Sequence, residues 1–427
     1  MTSKTSQLCK KRNATIIPSL LGQHDAVLTG DTKTIDLSTA ENWATKTMML
    51  EGLGGAFDNL SEQFTDGYHQ DLAYSSGIGG CSKTRKLMAD LLNHSFKPSA
   101  PVESSHVVLA AGGSFALTAL VEQICDPGDG ILIAAPYWAG LDISISIHGH
   151  ATVVPVHVPR DSFFDAKSIG NYESVIGSSA IPIKAVLVCN PQNPLGQCYP
   201  RETLQAILEV CKRHELCYIS DEVYALSAHQ PFLSGFQPFI SALQLSDDGM
   251  RDQIHVIYSL SKDFGCNGIR VGALVSQFND SVRLSSALSV HSQVSSLSTV
   301  LASNFILKPS TIKKAKIHGG QKLKEAYESI RSFLEKSGME YMPVAFGMFV
   351  FARLSKVSDF DAEKRLLGCL KSRGVSVSSG SSYHFQEPGW FRICYGVPSD
   401  QLAEGLKRIA LGVQDFQLKE RRLEMTA

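Results

Sequence analysis

The chain has 427 residues, with 40 Lys and Arg against 41 Asp and Glu. That balance leaves no electrostatic footprint for nucleic acid or an anionic membrane, and no long apolar run offers a spanning helix. With 44% apolar and 19% charged residues it reads as an ordinary globular protein, long enough for a large domain and a smaller one.

The N-terminus, Met1 to Arg12, is polar and basic with no apolar stretch behind it, so no secretory signal is read and a cytoplasmic location is expected. The ten cysteines form no Cys-x-x-Cys pair and the thirteen histidines show no ligand spacing. Buried, reduced thiols and no metal site are the expectation. Residues 1–60 read as an arm that joins the later, smaller domain. Within it, 35–43 reads as a short strand running into a polar turn.

A helix is predicted over 82–96. Strands then alternate with helices: strand 106–110, helix 114–125, strand 130–134, helix 140–147, strand 152–158, strand 184–189, helix 201–214, strand 217–220. Strands 254–258 and 271–275 follow. This order predicts an α/β fold, a mainly parallel sheet of about seven strands sandwiched by helices, over residues 61–308. From about residue 309 the pattern changes. A long charged helix over 311–336, strands at 349–354, 375–378 and 390–394, and helices near 360–372 and 400–411 predict a small α+β domain to residue 427. The last ten residues read as a frayed helical tail.

In such sheets ligands sit beyond the carboxyl ends of the strands. Five predicted strand ends carry unusual residues: Gly112-Gly113-Ser114, Pro136-Tyr137, Asn190-Pro-Gln-Asn193-Pro-Leu-Gly196, Asp221-Glu-Val-Tyr224, and Ser259-Leu-Ser-Lys262. A lysine leaving a buried strand through small polar residues is desolvated, which lowers its pKa and makes it a nucleophile toward carbonyls. Ser259, Ser261 and Arg270 suit a phosphate, as do the free amides of Gly113 and Ser114 at a helix start. Lysine plus phosphate cradle is the pattern for pyridoxal 5'-phosphate (PLP). Asp221 suits the protonated pyridine nitrogen, Asn193 and Tyr224 the ring hydroxyl, Tyr137 the ring face, and Arg392 a substrate carboxylate. Four of these have a plain alternative. Asp221 can cap a turn, Asn193 can belong to a proline turn, Tyr137 can be an interface aromatic, and Arg392 can pair with a buried acid.

Taken together, these motifs resemble the PLP-dependent fold-type I family, aminotransferase class I/II, over roughly residues 35–412. Ala40-Glu-Asn42, Tyr258 to Asp263, Gly380 to His384 and Glu387 to Arg392 resemble its 1-aminocyclopropane-1-carboxylate (ACC) synthase branch, and with it fungal carbon–sulfur lyases of secondary metabolism. The resemblance implies that Lys262 is the Schiff-base lysine and that Asp221 and Tyr137 serve the chemistry. It implies that Ser259, Ser261 and Arg270 hold the phosphate, and that Arg392, Asn193, Ala40 and Glu41 meet an amino-acid substrate. It also implies a homodimer in which Tyr74 reaches the neighbouring subunit. Two segments depart from the synthase pattern, the largely apolar Trp138 to Ser144 and the Ala73-Tyr-Ser-Ser-Gly77 run. The expected activity is a lyase that expels a sulfur-bearing group after Cα deprotonation, with an aminotransferase as the alternative. A regulator that fuses this fold to a DNA-binding helix-turn-helix does not fit the short arm or the balanced charge.

Overall fold

A computed structural model describes residues 4–16, 34–63, 73–74, 77–229, 235–245 and 249–426. The arm contributes β1 (Ile35–Asp36). A seven-stranded sheet follows, built from β2 (Val107–Ala110), β3 (Gly130–Ala135), β4 (Thr152–His157), β5 (Ile183–Cys189), β6 (Cys217–Asp221), β7 (Ile254–Ser259) and β8 (Gly272–Val275). Its order is β2-β8-β7-β6-β5-β3-β4. β8 runs antiparallel to both its neighbours, and the other pairs are parallel.

The strands are nearly continuous apolar runs because both sheet faces are covered. Alternate residues go to opposite cores. Ile131 and Ile133 join Leu117, Leu120 and Val121 of the helix Gly113–Ile124. Leu132 and Val186 join Leu204, Ile207 and Leu208 of the helix Arg201–Arg213 on the other face.

A second, four-stranded antiparallel sheet is ordered β12-β13-β10-β9, with β9 (Glu340–Tyr341), β10 (Phe349–Arg353), β12 (Ser378–Ser379) and β13 (Trp390–Cys394). The helices Pro309–Lys336, Phe360–Ser372 and Ser399–Thr426 pack around it in a separate core. β11 (Val375–Ser376) pairs in parallel with β1, so the arm is stitched to this part of the chain.

Several sequence expectations are corrected. Residues 37–42 make the expected turn, but the arm beyond it, to which the sequence reading gave no element, is a 21-residue helix, Trp43–Gln63. Three glycines disguise it, and Gly52 is there because a Cβ would strike the Phe305 ring. The expected strand over 375–378 divides into β11 and β12, which join different sheets. The expected helix over 140–147 is one α-turn, Gly140–Asp142, continued as a π-helix over Ile143–His148. The last helix runs on through the tail to Thr426. Among the described residues no helix is long and apolar enough to cross a membrane, and no cluster of metal-ligating side chains occurs.

The carboxyl ends of β2, β3, β5, β6 and β7 lie along one edge of the large sheet. Antiparallel β8 starts at that same edge, which places Arg270 there too. β13 of the smaller sheet and the segment after β1 close over it.

Candidate active site

A cavity of about 410 Å³ opens at this edge. Lys262 lies on it, on a one-turn helix, Leu260–Asp263, directly after β7. Ser259 caps that turn, its hydroxyl oxygen accepting from the Ser261 N–H at 3.1 Å. The lysine Nζ donates to the Ala40 carbonyl at 2.8 Å. Burial, with the Arg392 guanidinium nearby, pulls the amine down to about 8.

β6 ends in Asp221, and Glu222 follows it just outside the strand. Glu222 is fully tied up, accepting from Ser220 Oγ at 2.8 Å, Ser241 Oγ at 2.6 Å and the Ala242 N–H at 2.7 Å. Asp221 lines the cavity with only a 3.4 Å bond from the Val223 N–H. Burial pushes its carboxyl up to about 6. The bonds that hold Glu222 leave Asp221 as the acid on the cavity.

Gly113 and Ser114 open a 12-residue helix on the cavity wall. Arg270 reaches the same loop, donating to the Ala111 carbonyl at 2.7 Å and the Asn267 carbonyl at 2.8 Å. Its Nη1 also lies 3.5 Å from Ser261 Oγ. Gly112 has a φ of +96°, and a Cβ there would lie 2.2 Å from Arg270 Nη2. Bare amides, hydroxyls and a guanidinium converge here as an anion site requires.

Across the cavity, Arg392 is buried at 4% exposure. It donates to Asn193 Oδ1 at 3.2 Å and to the Ser38 carbonyl, and its Nε has no partner. Tyr383 and Phe349 lie against its guanidinium at 5.2 and 5.4 Å. Asp36 is a nearby carboxylate whose charge acts on it. Tyr224 also lines the cavity, its ring edge on Phe349.

Not every expected residue is brought here. Tyr137 is turned away from the cavity. It is 1% exposed, stacks on His384 at 4.4 Å and donates to Asp142 at 3.0 Å. Trp138, the next residue, lines the cavity instead. Glu41 does not line it either. Its carboxylate accepts from Asn267 at 2.7 Å and from Lys46 at 3.2 Å. Its neighbour Ala40 does line it, through the backbone. Tyr74 stands 91% exposed and makes no part of this cavity.

Asn267 and Tyr383 are among the cavity residues that the sequence reading did not single out, and Trp138 was expected only as part of a substrate-side segment, 138–144. Each lies inside or beside a motif already singled out, but no sequence signal says which neighbour turns inward. Asn42 is a further omission. Its amide donates to the carbonyls of Lys262 and Asp263 at 3.1 and 3.3 Å and so holds the lysine turn.

The aminotransferase class I and II family matches residues 50–409. A probable aminotransferase, tcpI, of Claviceps purpurea (strain 20.1) is 48% identical over 96% of both chains. ACC synthase 7 of Arabidopsis thaliana is 30% identical over 77% of this chain and 75% of that protein. Among solved structures, the aspartate aminotransferase of Thermus thermophilus with maleate superposes with a TM-score of 0.76 at 18% identity, covering 96% of this chain and 99% of that one. The aspartate aminotransferase of Thermotoga maritima gives 0.75 at 23% identity, over 95% and 98%. The cavity-facing carboxyl of Asp221, the desolvated Lys262 and the glycine-lined anion cradle fit PLP. The chain belongs to the aminotransferase class I and II family and is a PLP-dependent enzyme of that family.

Proposed function

We propose that the chain removes the α-proton of an amino acid and then expels a sulfur-bearing group from the adjoining carbon, as a carbon–sulfur lyase. PLP, when bound, withdraws electrons from the Cα–H bond of an amino acid joined to it. Lys262 is the residue that carries the cofactor and, once freed, takes the α-proton. An amine lowered to about 8 is poised for that transfer near neutral pH. Asp221 holds the pyridine nitrogen protonated, and Asn193 and Tyr224 meet the ring hydroxyl. Trp138 takes the ring-facing position first expected of Tyr137. Gly113, Ser114, Ser259, Ser261 and Arg270 take the phosphate, and Arg392 takes the α-carboxylate.

One observation carries the choice of reaction. Beyond Arg392 an apolar stretch of the cavity wall is formed by Trp138, Leu141, Ile143, Leu367 and Val377, with Lys371, Ser379 and Ser382 on the same lining. Such a wall suits a neutral thiol or thioether leaving group better than a second carboxylate. Glu41, first expected to help the departing group, has its carboxylate engaged elsewhere and is given no such role. The ACC synthase relatives support leaving-group chemistry on this framework.

A second reading, amino transfer to a 2-keto acid, is favoured by the name of the 48% identical Claviceps relative. The deciding experiment supplies a cysteine S-conjugate without a keto acid and follows thiol and pyruvate. Sustained release supports the lyase. Formation of one equivalent of the S-substituted 2-keto acid, without thiol or pyruvate and continuing only when an acceptor keto acid is added, supports the aminotransferase.

A further inference from the structure

The cavity has two walls that come from distant parts of the chain. One is the segment after β3, which carries Trp138, Gly140, Leu141 and Ile143. The other is the segment around β12, which carries Ser379, Ser382 and Tyr383. They belong to different sheets, so no strand pairing sets their spacing.

Each wall is anchored on its own side. Gln192, from the end of β5, donates to the Pro136 carbonyl at 2.6 Å and holds the first wall to the large sheet. Glu363, buried near the start of the helix Phe360–Ser372, accepts from Ser381 Oγ and the Gly389 N–H, both at 2.7 Å, and holds the second.

Between them stands one carboxylate. Asp142 Oδ1 accepts from the Tyr137 hydroxyl at 3.0 Å, and Oδ2 lies 2.8 Å from His384 Nε2. The Tyr137 and His384 rings stack at 4.4 Å with 16° between planes. The Tyr137 N–H donates to the Tyr383 carbonyl at 3.0 Å. His384 holds a φ of +59°, a backbone state that non-glycine residues occupy only when their surroundings fix it. Ring stack, backbone bond and shared carboxylate therefore meet at one point joining two separately anchored walls.

We propose that Asp142 is a positioning residue that, with Tyr137 and His384, clasps the two walls together and so sets the width of the side-chain half of the substrate cavity. This rests on the reading of the cavity as the amino-acid site. It also gives Tyr137 a role: it serves the clasp while Trp138 serves the cavity.

The test uses the PLP-loaded enzyme and the variants Asp142→Asn, Tyr137→Phe and His384→Asn. Binding is read by titrating the visible absorbance with L-alanine, which ends at its β-carbon, and with S-benzyl-L-cysteine, which reaches the walls. Asp142→Asn should weaken S-benzyl-L-cysteine about 5- to 20-fold, the size expected for loss of bonds to a charged acceptor, and leave L-alanine within about twofold. Hydrogen exchange should quicken in 136–143 and 380–385 and nowhere else. His384→Asn tolerates the positive φ but places its amide short of the imidazole Nε2 and loses the ring stack, so it should weaken S-benzyl-L-cysteine in the same direction as Asp142→Asn. Tyr137→Phe added to Asp142→Asn should bring little further loss, because its hydroxyl acts through that carboxylate. The clasp is overturned if Asp142→Asn leaves exchange in both segments unchanged, or if both amino acids weaken equally. Borohydride labelling of Lys262 on the same samples tests the underlying site reading separately. Absence of the adduct sinks that reading, while exchange still decides the clasp.

Discussion

Lys262 Nζ and the Ala40 carbonyl meet across 2.8 Å, although 222 residues separate them along the chain. The bond ties the edge of the large sheet to the segment between β1 and the helix Trp43–Gln63. Asn42 strengthens the tie through the carbonyls of Lys262 and Asp263. The lysine is thus covered by the arm, and the covering is part of what desolvates it.

That desolvation makes a pH prediction for the cofactor-free protein. The folded pKa, about 8, lies below the ordinary value of 10.5. Between these limits the unfolded chain binds more protons than the folded one, so this lysine's contribution to stability rises with pH through that window. Below about 8 it is a constant cost. Denaturant titrations of wild type and Lys262→Met should show Lys262→Met the more stable at pH 7, with the gap closing toward pH 10. A gap independent of pH would contradict the buried amine.

Arg392 is expected to clamp the α-carboxylate through its guanidinium fork. Arg392→Lys should weaken amino-acid binding by about 1.5–3 kcal/mol, roughly 10- to 150-fold in KM, with PLP still bound. The measurement is a steady-state KM beside cofactor absorbance. Loss of PLP or unfolding would instead make Arg392 a structural residue, held by Ser38 and Asn193.

Gly112 is required by both its backbone and its neighbour. Alanine there meets the Arg270 guanidinium and a φ of +96°. The strained backbone costs about 1–3 kcal/mol. Displacing Arg270 should also weaken PLP retention on dialysis. Gly128→Ala, where φ is +98° but nothing lies within 4 Å of the added Cβ, is the control: it should lose stability but keep the cofactor. Equal cofactor loss in both variants would refute a cradle at Gly112.

Tyr74 stands exposed and outside its own chain's cavity, which fits a residue that completes the cavity of a second copy. Mixing Lys262→Ala with Tyr74→Ala should regenerate up to about a quarter of wild-type activity through hybrid dimers, each with one intact site. A monomer by light scattering at assay concentration would end that expectation.

The chemistry-bearing residues were legible because their types and spacing are short-range facts. Lys262 after two serines, Asp221 at the end of an apolar run and Arg392 inside another stand out in the linear chain, and the structure brings all three to one cavity. Strand-helix alternation likewise announces the large sheet, since buried parallel strands must be near-continuous apolar runs. Tertiary structure decided what depends on the path of the backbone. Whether Tyr137 or Trp138 faces inward turns on one residue of chain direction, and Asp142 and His384 settle it from positions 242 residues apart. Glu41 reads as a free carboxylate until folding delivers Asn267 to it. The helix Trp43–Gln63 hides behind its glycines, because packing against Phe305 rather than local propensity holds it. Residue type sets what each side chain can do, and only long-range packing selects which of two neighbours does it.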